Sequence, residues 1–187
     1  MIDKIDDIEI YTVELLLKMK KEHEKDVLHG NFSTYITLYD AVIHDYSLLS
    51  TLFEYVDINK LYSSSLDLPF KFDHELFDLI EMHELYEQGI GSFILKDRYL
   101  NKLFATLLNS TKQLLQRVEQ YYYIEYILEE DGGPIKQFKC TPFKGTTEKE
   151  RDWVVYWQGW YQESVDLFIS AMQKRYPEIF IQPVFKG

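Results

Sequence analysis

Apolar residues recur along this chain at three- and four-residue steps, interrupted by short polar stretches that contain Gly or Pro. Over residues 6–28, Ile8, Leu15 and Met19 keep helical spacing, and Gly30 suits the position past a helix end. A second helix, capped by Ser33 or Thr34, gathers Ile36, Tyr39, Ile43, Tyr46, Leu49, Phe53 and Val56 on one face. Asp40, His44, Ser47, Thr51 and Glu54 fall on the other. "DINKLYSSSLDLPFKF" breaks the rhythm with serines and a proline and reads as a connection. Asp73 then caps a third helix that runs to about Gln88 and is stopped by Gly89 and Gly91. Leu76, Leu79, Ile80, Met82 and Tyr86 form its buried side, and Asp78, Glu81 and Glu84 form an acidic row opposite.

The fourth helix starts near Asp97, with Leu100, Leu103, Phe104, Leu107, Leu108, Thr111, Leu114, Leu115 and Val118 along one side. β-branched and aromatic residues then crowd "QYYYIEYILEE" and "IKQFKCTPF" around a "DGGP" turn. That composition predicts a hairpin over 119–143, against the alternative of a helix continued to Leu128. Thr147-Glu148-Lys149-Glu150 is a capping box that opens a last helix, ended by Pro177. The tail "EIFIQPVFKG" alternates like an edge strand or a packed arm. The fold class expected is α+β, predominantly helical: four to five packed helices with a small hairpin or edge-strand element in the second half. One domain spans 1–187, within which 1–90 form an acidic helical lobe and 91–187 an aromatic-rich lobe.

All three tryptophans sit in the last helix. At about 100° per residue, Trp153, Trp157 and Trp160 share roughly a 60° sector. Ser164, Phe168 and Ala171 continue that stripe, with Tyr161 and Met172 beside it, while Gln158, Gln162, Glu163 and Asp166 take the far side. A stripe of this length backed by polar residues predicts a core face rather than a binding face.

Composition adds two constraints. Aromatic residues make up 16% of the 187, enough for a sizeable core with some left over for an interface. Cys140 is the lone cysteine, so no disulfide closes within the chain and no cysteine-based metal cluster forms. The first residues carry acids where a secretory signal has bases, and no apolar run approaches a membrane span. A cytoplasmic setting is the expectation.

The net charge of −11 is concentrated in one stretch. Residues 31–95 hold eleven acids against Lys60 and Lys71, a net of −9. Such a surface repels phosphate backbones and attracts a basic partner, raising association rate and selectivity more than affinity. Asp78, Glu81, Glu84 and Glu87, with Asp40 and Asp45, are therefore the candidate partner-binding residues.

Catalytic signatures are weak. His44-Asp45 is similar to the paired ligands of metal phosphohydrolases over two residues only, and adjacent helical positions point about 100° apart. Asp40 with His44 at i,i+4 suits an oriented imidazole, but also an ordinary solvated face. His74, Asp78 and Glu81 have spacing that suits a divalent cation, without a second cluster to complete it. His83 points to the apolar side as a core histidine, and His23 lies among surface glutamates. Cys140 has Lys139 beside it but no histidine nearby in sequence to act as base. Gly89-Ile90-Gly91 is too short for a phosphate loop. "KQFKCTPFKG" interleaves lysines with aromatics, but three lysines in an acidic chain make a poor nucleic-acid site.

The expected function is a non-enzymatic, protein-binding regulator or inhibitor with no cofactor. Its acidic surface docks on a basic protein, such as a transcription or DNA-processing factor, without touching nucleic acid or membrane. Small acidic proteins with which phages redirect host machinery share this profile. Two other classes compete: a self-assembling structural subunit using its aromatics, and a metal-dependent hydrolase with scattered His and Asp ligands. The oligomeric state is left open.

Overall fold

The computed structural model describes residues 32–89, 93–127 and 137–176. The helix expected over 6–28, the turn at "DGGP" and the strand-like tail lie outside them. Among the described residues there are five α-helices and one three-stranded antiparallel sheet, a predominantly helical α+β fold.

Helix α1 spans Phe32–Tyr55, followed by a single turn, α2, at Ile58–Leu61 and a 3-10 turn at Ser63–Ser65. Strand β1 (Lys71–Asp73) leads into α3 (Glu75–Gly89). Helix α4 (Arg98–Tyr121) runs straight into β2 (Tyr122–Ile127). Strand β3 (Gln137–Pro142) precedes the longest helix, α5 (Glu148–Arg175).

Helix α4 forms as its sequence predicts. Asp97 accepts from the backbone N–H groups of Tyr99 and Leu100 at 2.9 and 3.0 Å, satisfying two donors the first turn leaves unpaired. Leu100, Phe104, Leu107, Leu108, Thr111, Leu114, Leu115 and Val118 are all buried. Helix α5 also opens as expected: the Glu150 carboxylate accepts from Thr147 N–H at 2.7 Å, and Glu150 N–H donates to the Thr147 hydroxyl. Before it, Gly145 turns the chain at φ 100°, a conformation that a side chain disfavours.

The two helices pack antiparallel. Arg175 at the end of α5 reaches Asp97 at the start of α4, and the Thr146 hydroxyl donates to the Tyr121 carbonyl at the opposite end. Phe104 and Phe168 meet between them with ring centroids 5.5 Å apart.

The sheet partly departs from expectation. β2 and β3 pair antiparallel from Tyr122↔Pro142 to Ile127↔Gln137, which is the expected hairpin. The central strand is β3, however, and its other edge is taken by β1 from the supposed connection, in register Phe72↔Phe138. Three residues are too few to show a period of two. What holds β1 is tertiary: the Phe72 and Phe138 rings stack at 5.0 Å, and Phe77 of α3 meets Phe138 edge-on at 4.9 Å. Asp73 therefore ends β1 and does not cap α3, in whose first turn the amides of Phe77 and Asp78 donate to the His74 carbonyl.

Two helices are rotated from their expected faces. On α1 the buried line is Val42, Asp45, Leu49, Leu52 and Val56, while Ile43 is exposed. On α5 it is Val154, Tyr161, Val165, Phe168 and Met172. Trp153 and Trp160 are each 45% exposed, and only Trp157 is partly packed against the core. The stripe drawn through the tryptophans is thus core in its second half, from Ser164 to Ala171, and surface in its first. Gln158 and Gln162, expected on the solvent side, lie over the 3-10 turn instead. Gln158 donates to the Ser65 carbonyl at 2.7 Å, and Gln162 bonds the Ser65 hydroxyl at 3.2 Å.

Candidate protein-binding surfaces

Helix α3 buries Leu76, Leu79 and Met82 and turns Glu81, Glu84 and Glu87 to solvent. Three-residue steps wind these carboxylates around the outer side of the helix. Asp78, Glu84 and Glu87 each have a hydrogen-bonding or ionic neighbour outside the row. Asp78 is bonded to His74 one turn earlier, Glu87 lies 3.4 Å from His83, and Glu84 lies 3.7 Å from Lys112 on α4. The Glu84–Lys112 pair is exposed and worth about 0–1 kcal/mol by itself, whereas the His83 side of the Glu87 pair is mostly buried.

Of the other two candidates, Asp40 is exposed on α1 and Asp45 is not a surface residue at all. Asp45 is 0% exposed, and its two oxygens accept from the backbone N–H groups of Lys96 and Asp97 at 2.6 and 2.8 Å. It fastens α1 to the start of α4. Burial raises its carboxyl above the usual range, against the lowering effect of the two N–H donors and of His44. As a carboxylate, Asp45 is expected at the surface; the amides of residues 96 and 97 reverse that expectation.

Asp45 belongs to a buried polar cluster. Arg175 Nε lies 2.6 Å from Asp97, and its guanidinium sits 4.8 Å from the centre of the Tyr99 ring. Tyr176 is buried beside them, and burial with Asp45 and Asp97 nearby pushes its hydroxyl well above the ordinary value. A third buried acid, Glu75, lies 3.6 Å from Lys60. Close to it, the Tyr161 hydroxyl donates to the Leu61 carbonyl at 2.5 Å. Both clusters join helices to one another. They are structural.

The remaining candidate groups stand apart. His44 is exposed and bonds the Ile94 carbonyl at 3.0 Å, separated from the His74–Asp78 pair. His83 packs against Phe93 and Phe104, as its position predicts. Among the described residues, no group of three or more His, Cys, Asp or Glu side chains is placed to hold a metal ion. Cys140 is buried on β3, and burial pushes its thiol up to about 12. Native protein should therefore resist iodoacetamide at pH 8, whereas urea-unfolded protein reacts as a free cysteine does. Equal alkylation rates in the two states would contradict the buried placement.

Sequence reasoning missed one surface feature, the exposed aromatic group on α5. Tyr156 stands among Trp153, Trp157 and Trp160, meeting their rings edge-on at 5.7, 5.7 and 6.4 Å between centroids. A shallow cavity of about 150 Å³ lies elsewhere, between α1 and α3, lined by Thr51, Tyr55, Met82, Leu85 and Tyr86. Among the described residues, no helix is long and apolar enough to cross a membrane. No protein-family model, curated protein or solved structure matches this chain.

Proposed function

We propose that the protein is a non-enzymatic, protein-binding regulator or inhibitor that docks an acidic surface on a basic partner, such as a transcription or DNA-processing factor. The observation that carries this reading is the outer side of α3, where Glu81, Glu84 and Glu87 are all exposed. They lie within the stretch that holds most of the chain's net charge of −11. A field summed over such a face steers a basic protein toward it, while each contact adds little by itself.

The test is surface-plasmon kinetics with a partner captured from the native host, at low and high salt. Glu81→Lys, Glu84→Lys and Glu87→Lys together should slow association severalfold or more, with a smaller effect on dissociation. Raising salt should slow the unmodified protein in the same way, because the screening length falls below about 8 Å past physiological strength. A folded triple variant that associates at the unmodified rate would remove this side of α3 from the interface.

A further inference from the structure

Helix α5 carries on its outer side a stripe that no other described element covers. Trp153, Tyr156, Trp160 and Leu167 are each about half exposed, and with Glu163 they keep three- and four-residue steps over four turns. That is the spacing by which one helix presents a seam to another.

Three observations say what covers it. Tyr156 holds the neighbouring indoles edge-on, so the aromatic surface is already ordered and loses little freedom on binding. Gly159 lies beside the stripe, exposed in mid-helix, with nothing within 4 Å of where a Cβ would stand. Nothing among the described residues calls for glycine there, but a closely approaching helix would. The third is charge. Between residues 152 and 172 the helix bears Asp152, Glu163 and Asp166 and no base, with Lys149 and Arg151 before the stripe and Lys174 and Arg175 beyond it.

We propose that this stripe is the docking site for an amphipathic helix of a partner protein, with an apolar face flanked by Lys or Arg. The proposal rests on the protein-binding reading above and names a contact on α5 that the acidic side of α3 does not provide. A second copy of this chain fits less well. Four large side chains at half exposure leave roughly 400 Å² of apolar surface, about half of what each partner of a stable dimer buries. The second copy would also bring its own charge of −11 against the same acids.

The test titrates the protein with a synthetic helical peptide of about 18 residues, Leu on one face and Lys on the other, long enough to lie along the stripe. Its Leu/Glu counterpart and a proline-broken Leu/Lys version are the controls. At physiological salt the Leu/Lys helix should bind one to one and shift tryptophan emission to the blue, and neither control should bind. Trp160→Ala and Leu167→Ala should each weaken binding about tenfold or more, with the circular dichroism unchanged. Gly159→Ala should raise the melting temperature and still weaken binding. Tyr156→Ser supplies a further variant at a residue that is itself about half exposed. The proposal is overturned if the Leu/Lys helix does not bind, if the Leu/Glu helix binds as well, or if Trp160→Ala leaves affinity unchanged. Loss of binding in the Glu81, Glu84 and Glu87 reversal alone places the peptide on α3, overturning the stripe while leaving the acidic-surface reading intact. Sedimentation showing a dimer that Trp160→Ala dissociates assigns the stripe to a second copy and also overturns the proposal.

Discussion

Replacing Arg175 with alanine is expected to cost about 3–5 kcal/mol, a large share of the stability of a domain this size. Arg175 and Asp97 are almost wholly enclosed, with 2.6 Å between Nε and the carboxylate. The same carboxylate caps α4 through the amides of Tyr99 and Leu100. Asp45 lies beside it as a second buried acid, held by the backbone N–H groups of Lys96 and Asp97. Removing the guanidinium leaves two carboxylates in one dry site and strips the cation from the Tyr99 ring. Urea denaturation followed by circular dichroism measures the loss. Arg175→Met with Asp97→Asn should recover much of it, since a neutral pair of similar volume leaves no buried charge uncompensated. A loss under about 1 kcal/mol in Arg175→Ala would mean that water reaches the pair.

Phe168→Ala should be about as damaging, at 3–5 kcal/mol. Phe168 is fully buried and begins a chain of ring contacts: to Phe104 on α4 at 5.5 Å, from there to Phe93 at 4.8 Å, and on to Tyr86 of α3 at 5.2 Å. Truncating it opens a cavity where three helices meet. Trp160→Ala removes a larger side chain but one about half in solvent, and should cost about 1 kcal/mol or less. Parallel urea titrations of the two variants distinguish the observed face of α5 from the one drawn through the tryptophans. If Trp160→Ala proved as costly as Phe168→Ala, the tryptophan face would be core after all.

The parts of this fold legible in the sequence are those whose cause is local. The capping box at Thr147 needs only four consecutive residues. Helix α4 has an apolar side so regular that one arc accounts for its burial, and the Tyr- and Ile-rich strand after it pairs antiparallel with Gln137–Pro142, as β preference over adjacent residues leads one to expect. Of the acidic row read as Asp78, Glu81 and Glu84, the last two do face solvent, while Asp78 is half-buried and bonded to His74.

What only the tertiary structure decided are the matters in which partners lie far apart in sequence. Aromatic residues surround α5 so widely that two arcs were available, and α4 together with Ser65 selected the one centred on Tyr161 and Phe168. Asp45 turns inward because amides some fifty positions later meet its carboxylate, and its helix rotates with it. Strand β1 exists because β3 offers a free edge and Phe138 a ring to stack on. Hydrophobic periodicity determines that a helix has an inner side. Which of two comparable sides becomes the inner one depends on shape and hydrogen-bond partners supplied by other elements, and that choice is what left Trp153, Tyr156 and Trp160 at the surface.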